Sequence, residues 1–281
     1  MKITNKYNLP SPLVNATSWG IRGIKENTIS VTQLIDSPQI FQLRKKHNEE
    51  IEEDVSDRIW ALLGTSVHYI LEGHAEKNYL SEEKLKIEID GWTLTGIPDL
   101  LDSDGTLSDY KVTSVYSFLL GEKENWNLQT NVYAYLYGKH NFRVNKIQIV
   151  AILRDWQKFR LLADNNYPQC PVIVKPIILS DIASIEKYIH ERISLHQEAE
   201  KTGVYSCNFI ERWKREDTFA CIKKGNKKAS RIFDTQNEAE EYCKLKELEL
   251  EIRKGGYIRC ENYCNVAKFC TQNNIDIGGV K

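Results

Sequence analysis

The sequence predicts an α/β protein in two parts, a body over residues 1–203 and a cysteine-containing C-terminal appendage over residues 204–281. Two changes of pattern support this prediction. Within the body, helix-type periodicity over residues 57–78 gives way to short alternating segments around two Asp-Gly dipeptides, which are typical of antiparallel hairpins. After Gly203 the chain becomes basic and then rich in cysteine, and six of its seven cysteines lie there.

Composition and charge describe an ordinary globular chain. Hydrophobic residues make up 41% of the 281 positions, which is enough apolar material for a core and excludes full disorder. No apolar stretch approaches the roughly 20 residues that a membrane helix needs, and residues 1–15 lack the apolar run of a secretory signal. The formal net charge of -1 does not indicate a nucleic-acid partner, so such a partner must be inferred from local patches.

The individual elements follow from local patterns. A helix is predicted over residues 28–48, with Pro38 disturbing it, and residues 84–114 predict an antiparallel meander of three strands or more. The other predicted elements are a helix over 57–78, a helix over 125–139, strands over 146–153 and 172–179, a long helix that Asp181 caps and that runs to about residue 202, a hairpin turning at Gly225-Asn226, and a charged helix over 235–253.

Three polar residues of the meander form the first candidate site. If the hairpin turns near Ser103-Asp104, Asp99 and Asp109 lie roughly opposite each other on paired strands. Lys111 is two residues beyond Asp109, so strand alternation places both on one face. Two close carboxylates repel unless a cation lies between them, and two acids beside an ammonium can hold a hard divalent metal and hydrolyse phosphodiesters. The alternative is a surface hairpin with solvated acids.

The helices on either side of the meander carry further candidates. Gly64, His68 and Glu72 recur at four-residue spacing, so the histidine and the acid can point into a shared site. Gln129 and Tyr133 are one turn apart on the later helix and suit contacts with phosphate or base. The alternatives are a half-buried histidine with an acidic partner in the first helix and an amphipathic packing stripe in the second.

Taken in chain order, these motifs resemble the PD-(D/E)XK nuclease superfamily, in particular the RecB-type branch, which includes CRISPR-adaptation exonucleases and many phage-encoded nucleases. The resemblance covers roughly residues 60–140, about a third of the chain, and it is the ordered set that makes it specific. Ile97-Pro98-Asp99 matches the first signature, and Asp109 stands where the second often has Glu. The matching residues are Gly64, His68, Glu72, Gly96, Asp99, Asp109, Lys111, Gln129 and Tyr133.

The resemblance implies a restriction-endonuclease-like core, in which helices flank a mixed central sheet of four or five strands. It also implies an active-site metal, and a histidine among oxygen ligands suits Mn²⁺ as well as Mg²⁺. The implied roles are metal ligation by His68, Asp99, Asp109 and the Tyr110 backbone carbonyl, catalysis by Lys111 with Glu72 as a supporting or second-metal acid, and placement of the substrate strand by Gln129 and Tyr133.

The C-terminal cysteines form a second candidate metal site. Cys260, Cys264 and Cys270 fall within eleven residues, and thiolates at such spacing suit zinc or an iron–sulfur cluster. In RecB-type relatives, three C-terminal cysteines join one upstream cysteine to hold a four-iron, four-sulfur (4Fe–4S) cluster. Here Ser37-Pro38 stands in the similar upstream segment, so the usual fourth ligand is missing.

Three interpretations of these cysteines stay open. A fourth ligand can come from elsewhere, with Cys207 preferred because it opens the appendage, and Cys221 second because it lies in an alternating strand where a core role fits better. The site can hold zinc instead of a cluster, or the cysteines can be retained for packing alone. An odd number of cysteines without a secretory signal argues against a disulfide framework.

The predicted hairpin of the appendage is basic and contains no acid near its tip. In a chain of net charge -1, such a patch is a candidate contact with the DNA backbone, and the alternative is a solvated turn. Its basic residues are Lys223, Lys224, Lys227, Lys228 and Arg231.

The resemblance therefore predicts a divalent-metal-dependent DNA nuclease. We expect an exonuclease that acts at DNA ends or on single strands, in phage-type recombination or DNA processing, in the cytoplasm of a bacterial or phage-infected cell. DNA is the expected partner and a membrane is not; a homo-oligomer or a recombination protein also fits, because relatives form toroidal assemblies. The alternatives are a catalytically inactive DNA-binding or scaffold module with a structural thiolate metal site, and a phosphodiesterase acting on a small nucleotide.

Overall fold

The computed structural model describes residues 1–18, 23, 25–119, 124–162, 164–203 and 205–276, with side chains up to residue 273. Contacts divide the chain into two compact units, Met1–Val204 and Tyr205–Lys281. Each unit is described by itself below. Within the described residues, no helix combines the length and the apolar character that crossing a bilayer requires.

The first unit alternates helices and strands along the chain. Its strands are β1 Lys2–Thr4, β2 Thr28–Ser30, β3 Glu52–Asp54, β4 Leu80–Ser81, β5 Leu85–Ile89, β6 Trp92–Gly96, β7 Leu100–Leu101, β8 Thr106–Thr113, β9 Lys146–Leu153 and β10 Val172–Ile177. Its helices are α1 Ser11–Ser18, α2 Val31–Leu34, α3 Pro38–Lys46, α4 Ile59–Glu72, α5 Val115–Leu119, α6 Glu124–Lys139 and α7 Ile182–Thr202, with a 3₁₀ turn at Lys158–Leu162.

A mixed five-stranded sheet organises this unit, as predicted. Its order is β10-β9-β8-β7-β4, and β8 is the middle strand. The β8–β9 pair is parallel, and the other pairs are antiparallel. A second sheet of order β2-β6-β5 packs with the helices around it, and β1 pairs with β3 in parallel.

Helix α6 lies at the centre of the core. Residues 130–137 are buried without interruption, which is typical of a helix that is covered on all sides. Its side chains share one hydrophobic cluster with those of α2, α7, β5, β6 and β9. Asp181 caps α7 as predicted, because its Oδ1 accepts the Ser184 backbone N–H at 2.9 Å. This packing fixes the position of α6 against the sheets.

Two sequence predictions about this unit are wrong. The predicted helix over 28–48 is a strand followed by two short helices, because Ser37 caps a new helix at Pro38, whose ring suits the first helical turn. The predicted continuous meander over 84–114 is two hairpins in different sheets, since β5 and β6 belong to one sheet and β7 and β8 to the other. Pro98 lies between the hairpins and cannot donate to a ladder.

The second unit is a small sheet with a helix on one face. Its elements are β11 Lys214–Arg215, β12 Thr218–Ile222, β13 Ala229–Phe233, α8 Gln236–Lys246, β14 Glu249–Arg253, β15 Gly256–Tyr257, α9 Ile258–Asn262, a 3₁₀ turn at Ala267–Phe269, and α10 Thr271–Asp276. The order β13-β12-β14 is antiparallel. The predicted appendage 204–281 includes residues 204 and 277–281, which lie outside the described residues.

Two further predictions about this unit are wrong. The helix predicted over 235–253 ends at Lys246, because Glu247 takes a left-handed conformation and Glu249–Arg253 then pairs with β12 as a strand. Cys221 and Cys243 form a disulfide that joins β12 to α8. The odd number of cysteines argues against disulfides. The two side chains nevertheless meet in the core of this unit, and the number of cysteines does not say whether one such pair forms.

Candidate active site

The hairpin of β7 and β8 places two carboxylates at the middle of the central sheet. Leu100 pairs with Ser108 and Leu101 with Leu107, and one further step of this register sets Asp99 opposite Asp109. The turn needs Gly105, which has φ +77° and whose added Cβ would lie 2.6 Å from Asn145 Nδ2. The hairpin geometry expected from the sequence is therefore present.

Asp99 contacts three elements around it. Its Oδ2 accepts the Tyr110 backbone N–H at 2.6 Å, and its Oδ1 lies 3.2 Å from Nδ1 of His68 on α4. The same ring nitrogen lies 3.3 Å from Oε1 of Glu82, just after β4. Ser81 Oγ and the Glu82 N–H both donate to the Asp99 carbonyl, which fixes this loop against β7.

Asp109 is buried in the sheet with a lysine as its counter-ion. Its residue surface is 1% exposed, and Oδ2 lies 2.6 Å from Lys111 Nζ. Among the described residues, neither carboxylate oxygen has a hydrogen-bond partner of good geometry. Lys111 Nζ also donates to Gln129 Oε1 at 3.2 Å, and Gln129 Nε2 donates to the Tyr133 hydroxyl at 3.1 Å. The residues of α6 therefore hold the lysine beside the acid.

The electrostatics of the site follow from this burial. Removal of the Asp109 carboxylate from water raises its pKa to about 6, and this exceeds the opposing effect of the Lys111 ammonium. Hydrogen bonding to Asp99 first, and to Glu82 second, raises the pKa of His68 to about 10. Burial raises the pKa of Tyr133. The imidazolium thus occupies the position between two carboxylates that another cation could take.

The residues present fit a divalent cation. His68, Glu82 and Asp99 each offer a ligand atom, and these atoms lie within 4.8 Å of one another. The buried Asp109 carboxylate, whose Oδ2 is paired with Lys111 Nζ, lies across the hairpin from Asp99 and offers further oxygens. Carboxylate oxygens with one imidazole suit Mg²⁺ or Mn²⁺. A metal there would need the neutral imidazole, so it would replace the proton on His68.

The supporting acid that contacts His68 in the structure is Glu82 and not Glu72. Glu72 is exposed at the end of α4, whereas Glu82 contacts His68. Sequence analysis missed Glu82 because β4 contains only two residues and its pairing with β7 is not visible in the local pattern. The Glu82-Glu83 pair before the first hairpin is the one signal that could have indicated it. Tyr110 contributes its N–H to Asp99 and its ring, edge-on, to His68.

The candidate thiolate site lies entirely in the second unit. The backbone N–H and carbonyl of Cys207 both bond to the Gln272 side chain, at 3.0 Å each, which ties Cys207 to the end of the cysteine segment. Arg212 Nε donates to Cys260 Sγ at 3.4 Å. Cys221, the second choice for a fourth ligand, is in the disulfide.

Within the described part of the chain, the group around His68 is the only one whose three or more ligand atoms approach within 4.8 Å. Tetrahedral zinc with bonds of about 2.3 Å needs its sulfur atoms closer than that, so the cysteines do not form a preassembled zinc site.

The basic hairpin is solvent-exposed. Its tip, residues 223–228, joins β12 to β13, with Gly225 at φ +82° and Asn226 N–H bonded to the Lys223 carbonyl. All four of its lysines are exposed, and the Arg231 guanidinium covers the rings of Phe233 and Tyr242. The structure therefore gives Arg231 a packing role that its sequence context did not predict.

Asp109 is a buried acid that pairs with a lysine two residues further along the same strand and faces a second acid, Asp99, across a hairpin. This arrangement is typical of a class of folds that cleave phosphodiesters. The chain belongs to the PD-(D/E)XK nuclease superfamily, whose family model matches residues 30–271. Among curated proteins, no match is found.

Solved structures show distant likeness. The crystal structure of SSO0001 shares 20% identity and a TM-score of 0.47, with 65% of this chain and 84% of that chain covered. An alkaline exonuclease, LHK-Exo, from Laribacter hongkongensis shares 12% identity and a TM-score of 0.37, over 63% of this chain and 92% of that chain. The crystal structure of LHK-Exo in complex with dAMP shares 13% identity and a TM-score of 0.36, with 62% of this chain and 91% of that chain covered. At these values the likeness says nothing about the activity of this chain.

Proposed function

We propose that this protein is a divalent-metal-dependent DNA nuclease that hydrolyses phosphodiester bonds at DNA ends or on single strands. The single observation that carries the proposal is the Asp109–Lys111 ion pair, 2.6 Å long and buried in the middle strand of the sheet beside Asp99. Burial of a carboxylate costs stability, and a buried acid whose pKa is strongly perturbed beside a charged partner is typical of functional sites. The superfamily of the chain supplies the nature of that function.

The proposed roles follow from the contacts. His68, Glu82, Asp99 and Asp109 hold the cation, which when bound supplies Lewis-acid stabilisation of the charge that develops on the phosphate. The Tyr110 carbonyl remains a proposed further ligand.

The remaining side chains position the substrate and the nucleophile. Lys111 carries a positive charge next to the metal ligands and can donate to a phosphate oxygen or orient the attacking water. Gln129 holds the Lys111 ammonium in place, and Tyr133 in turn bonds the Gln129 amide. The buried segment 130–137 of α6 anchors the helix that carries Gln129. Glu72, exposed at the helix end, is no longer proposed as a catalytic residue.

The direct test is cleavage of end-labelled linear and closed circular DNA, single- and double-stranded, with Mg²⁺ or Mn²⁺. We expect Asp109→Ala and Lys111→Ala to abolish cleavage with the fold intact, and Asp104→Ala, an exposed acid in the turn of the same hairpin, to cleave like the wild type. Sparing of the circles would make the enzyme an exonuclease. Full activity in both variants would refute the assignment, and metal-independent DNA binding without cleavage would favour the non-catalytic scaffold module.

We propose that the basic hairpin contacts the DNA backbone. Its tip carries four exposed lysines and no acid, and each phosphate contact releases counterions. The slope of log K against log salt should become less steep by roughly 0.7–0.9 for each lysine that is removed and that contacts a phosphate. An unchanged slope in a variant with all four lysines replaced by Gln would exclude this role.

We propose that Cys207, Cys260, Cys264 and Cys270 hold a 4Fe–4S cluster, with zinc as the alternative metal. The reciprocal Cys207–Gln272 hydrogen bonds support Cys207 as the fourth ligand, and the hydrogen bond from Arg212 Nε to Cys260 Sγ orients a second ligand of the set. A brown anaerobic preparation with visible absorption that Cys207→Ser loses would support the cluster; a colourless protein with stoichiometric zinc would exclude it. The cytoplasmic, phage-type setting of DNA processing also remains part of this proposal.

A further inference from the structure

An exposed tryptophan lies two turns before the active-site histidine on α4, about 80° from it around the helix axis. Trp60, Gly64 and His68 follow one another at four-residue spacing on α4. Trp60 is 57% exposed, although the Arg154 guanidinium carbon lies 4.2 Å from the centre of its ring. No residue of α4 is fully buried, so Trp60 does not anchor this helix in the core.

Two independent measures place this pair at a similar distance from the site. Along α4, the eight residues from Trp60 to His68 rise by about 12 Å. Along β8, Tyr110 meets the His68 ring, and Thr113 is three residues further on, about 10 Å away. The Arg154 backbone N–H bonds the Thr113 carbonyl at 2.9 Å, so Arg154 begins where β8 ends. Trp60 and Arg154 therefore lie about 10–12 Å from His68, past Lys111 and towards the end of β8.

The surface between the pair and the histidine is open. A Cβ added at Gly64 would meet no atom of the described residues within 4 Å, so none of their side chains covers the helix surface at this position between Trp60 and His68. A flat indole with a guanidinium on its ring offers both stacking for a base and positive charge for a phosphate. At a rise of 3.4 Å for stacked nucleotides, and more in an extended strand, about 12 Å corresponds to roughly two to four nucleotides.

We propose that Trp60 and Arg154 form a nucleobase-stacking platform that holds single-stranded DNA two to four nucleotides from the scissile phosphate. This inference rests on the proposed nuclease function, and it adds a substrate contact that no catalytic argument assigns. Such a platform is tolerant of sequence, because every base has a stacking face. An unpaired base can stack on Trp60 while its strand runs on to the cation ligands, whereas a base within a duplex cannot.

The first part of the experiment uses variants of the full chain. Binding of a fluorescein-labelled single-stranded 12-mer is measured by anisotropy in EDTA for the wild type, Trp60→Ala, Trp60→Phe and Tyr69→Ala. Tyr69 is the matched control, since it is an aromatic residue of α4 that is 69% exposed and lies about 180° around the helix from Trp60. We expect Trp60→Ala to weaken binding about 5- to 150-fold, Trp60→Phe to retain most of it, and Tyr69→Ala to bind within about twofold of the wild type.

The second part of the experiment identifies which nucleotide stacks on Trp60, and it begins with the wild-type protein. A series of 12-mers, each with one abasic site, is bound to the wild type, and one position two to four nucleotides from the cleavage point should show a similar loss. That loss should be absent in Trp60→Ala, because a missing base and a missing ring remove the same contact. Equal sensitivity to every abasic position, or an additive loss in Trp60→Ala, would overturn the platform.

Cleavage with Mn²⁺ separates this inference from the proposed function. A wild type that cleaves DNA while Trp60→Ala binds and cleaves equally well would overturn the platform and leave the nuclease standing. A wild type that neither binds nor cleaves DNA would overturn both. Preferential loss of duplex binding in Trp60→Ala would also overturn the single-strand assignment. Thermal unfolding of each variant shows that the exposed substitutions leave the fold intact.

Discussion

Substitution of Asp109 by Asn should stabilise the metal-free protein at neutral pH while it abolishes cleavage. The pKa of this carboxyl is about 6 in the folded protein against an ordinary value of 3.8. The unfolded chain therefore loses the proton first as pH rises, and stability falls between about pH 4 and pH 6. A shift of about two units at 1.36 kcal/mol each amounts to about 3 kcal/mol. Because this pKa already includes the favourable contact with Lys111, we expect a net gain of up to about 3 kcal/mol at pH 8.

The measurement is urea-dependent amide hydrogen exchange of β8 and β9 in EDTA, at pH 4 and pH 8. Exchange in these strands reports on the first unit alone, so the result does not depend on the second unit. The two proteins should be equally stable at pH 4 and differ at pH 8, and Mn²⁺ should stabilise the wild type only. A variant that is less stable than the wild type at pH 8, or a difference that is the same at both pH values, would refute the reasoning.

Two other substitutions give further tests. The backbone N–H of Lys6 and the contacts with Ser56 and Thr4 depress the pKa of Asp54. The ionised carboxylate therefore stabilises the fold above about pH 4, and this stabilisation is lost as the pH falls below that value. In Asp54→Asn the free energy of unfolding should depend less on pH below about pH 4, and an unchanged dependence would contradict this. In Gly96→Ala the new Cβ would lie 2.7 Å from Leu136 Cδ1 and 3.0 Å from Tyr133, which predicts a loss of about 1–3 kcal/mol by overpacking and slower cleavage; normal Tm and rate would show that α6 can yield.

The elements that built the site were the ones most visible in the sequence. The Asp104-Gly105 turn fixed the register of β7 and β8, and a one-residue error would have put Lys111 and Asp109 on the wrong face. The helix α6 was visible by length and periodicity, and its placement of Gln129 beside Lys111 follows from packing. Local chemistry therefore predicted the hairpin, but the burial of Asp109 required the neighbouring strands.

The misses share a physical cause, which is pairing over long sequence distances. Glu82 enters the site because a two-residue strand pairs with β7, and no local propensity encodes that contact. The strand β14 was predicted as helix because its charged, alternating residues suit either state, and pairing with β12 decides between them. Cys221 and Cys243 similarly meet only when α8 packs on the sheet.

The charge balance of the site explains why a dication suits it better than a proton. Three carboxylates, from Glu82, Asp99 and Asp109, face one ammonium, from Lys111. With a neutral imidazole at His68, an excess of two negative charges remains in a place that burial makes poorly solvated. A proton on the imidazole removes half of that excess, and a divalent cation removes all of it. Metal affinity should therefore increase as pH rises from about 6, where Asp109 ionises, towards about 10, where His68 loses the proton that the metal must replace.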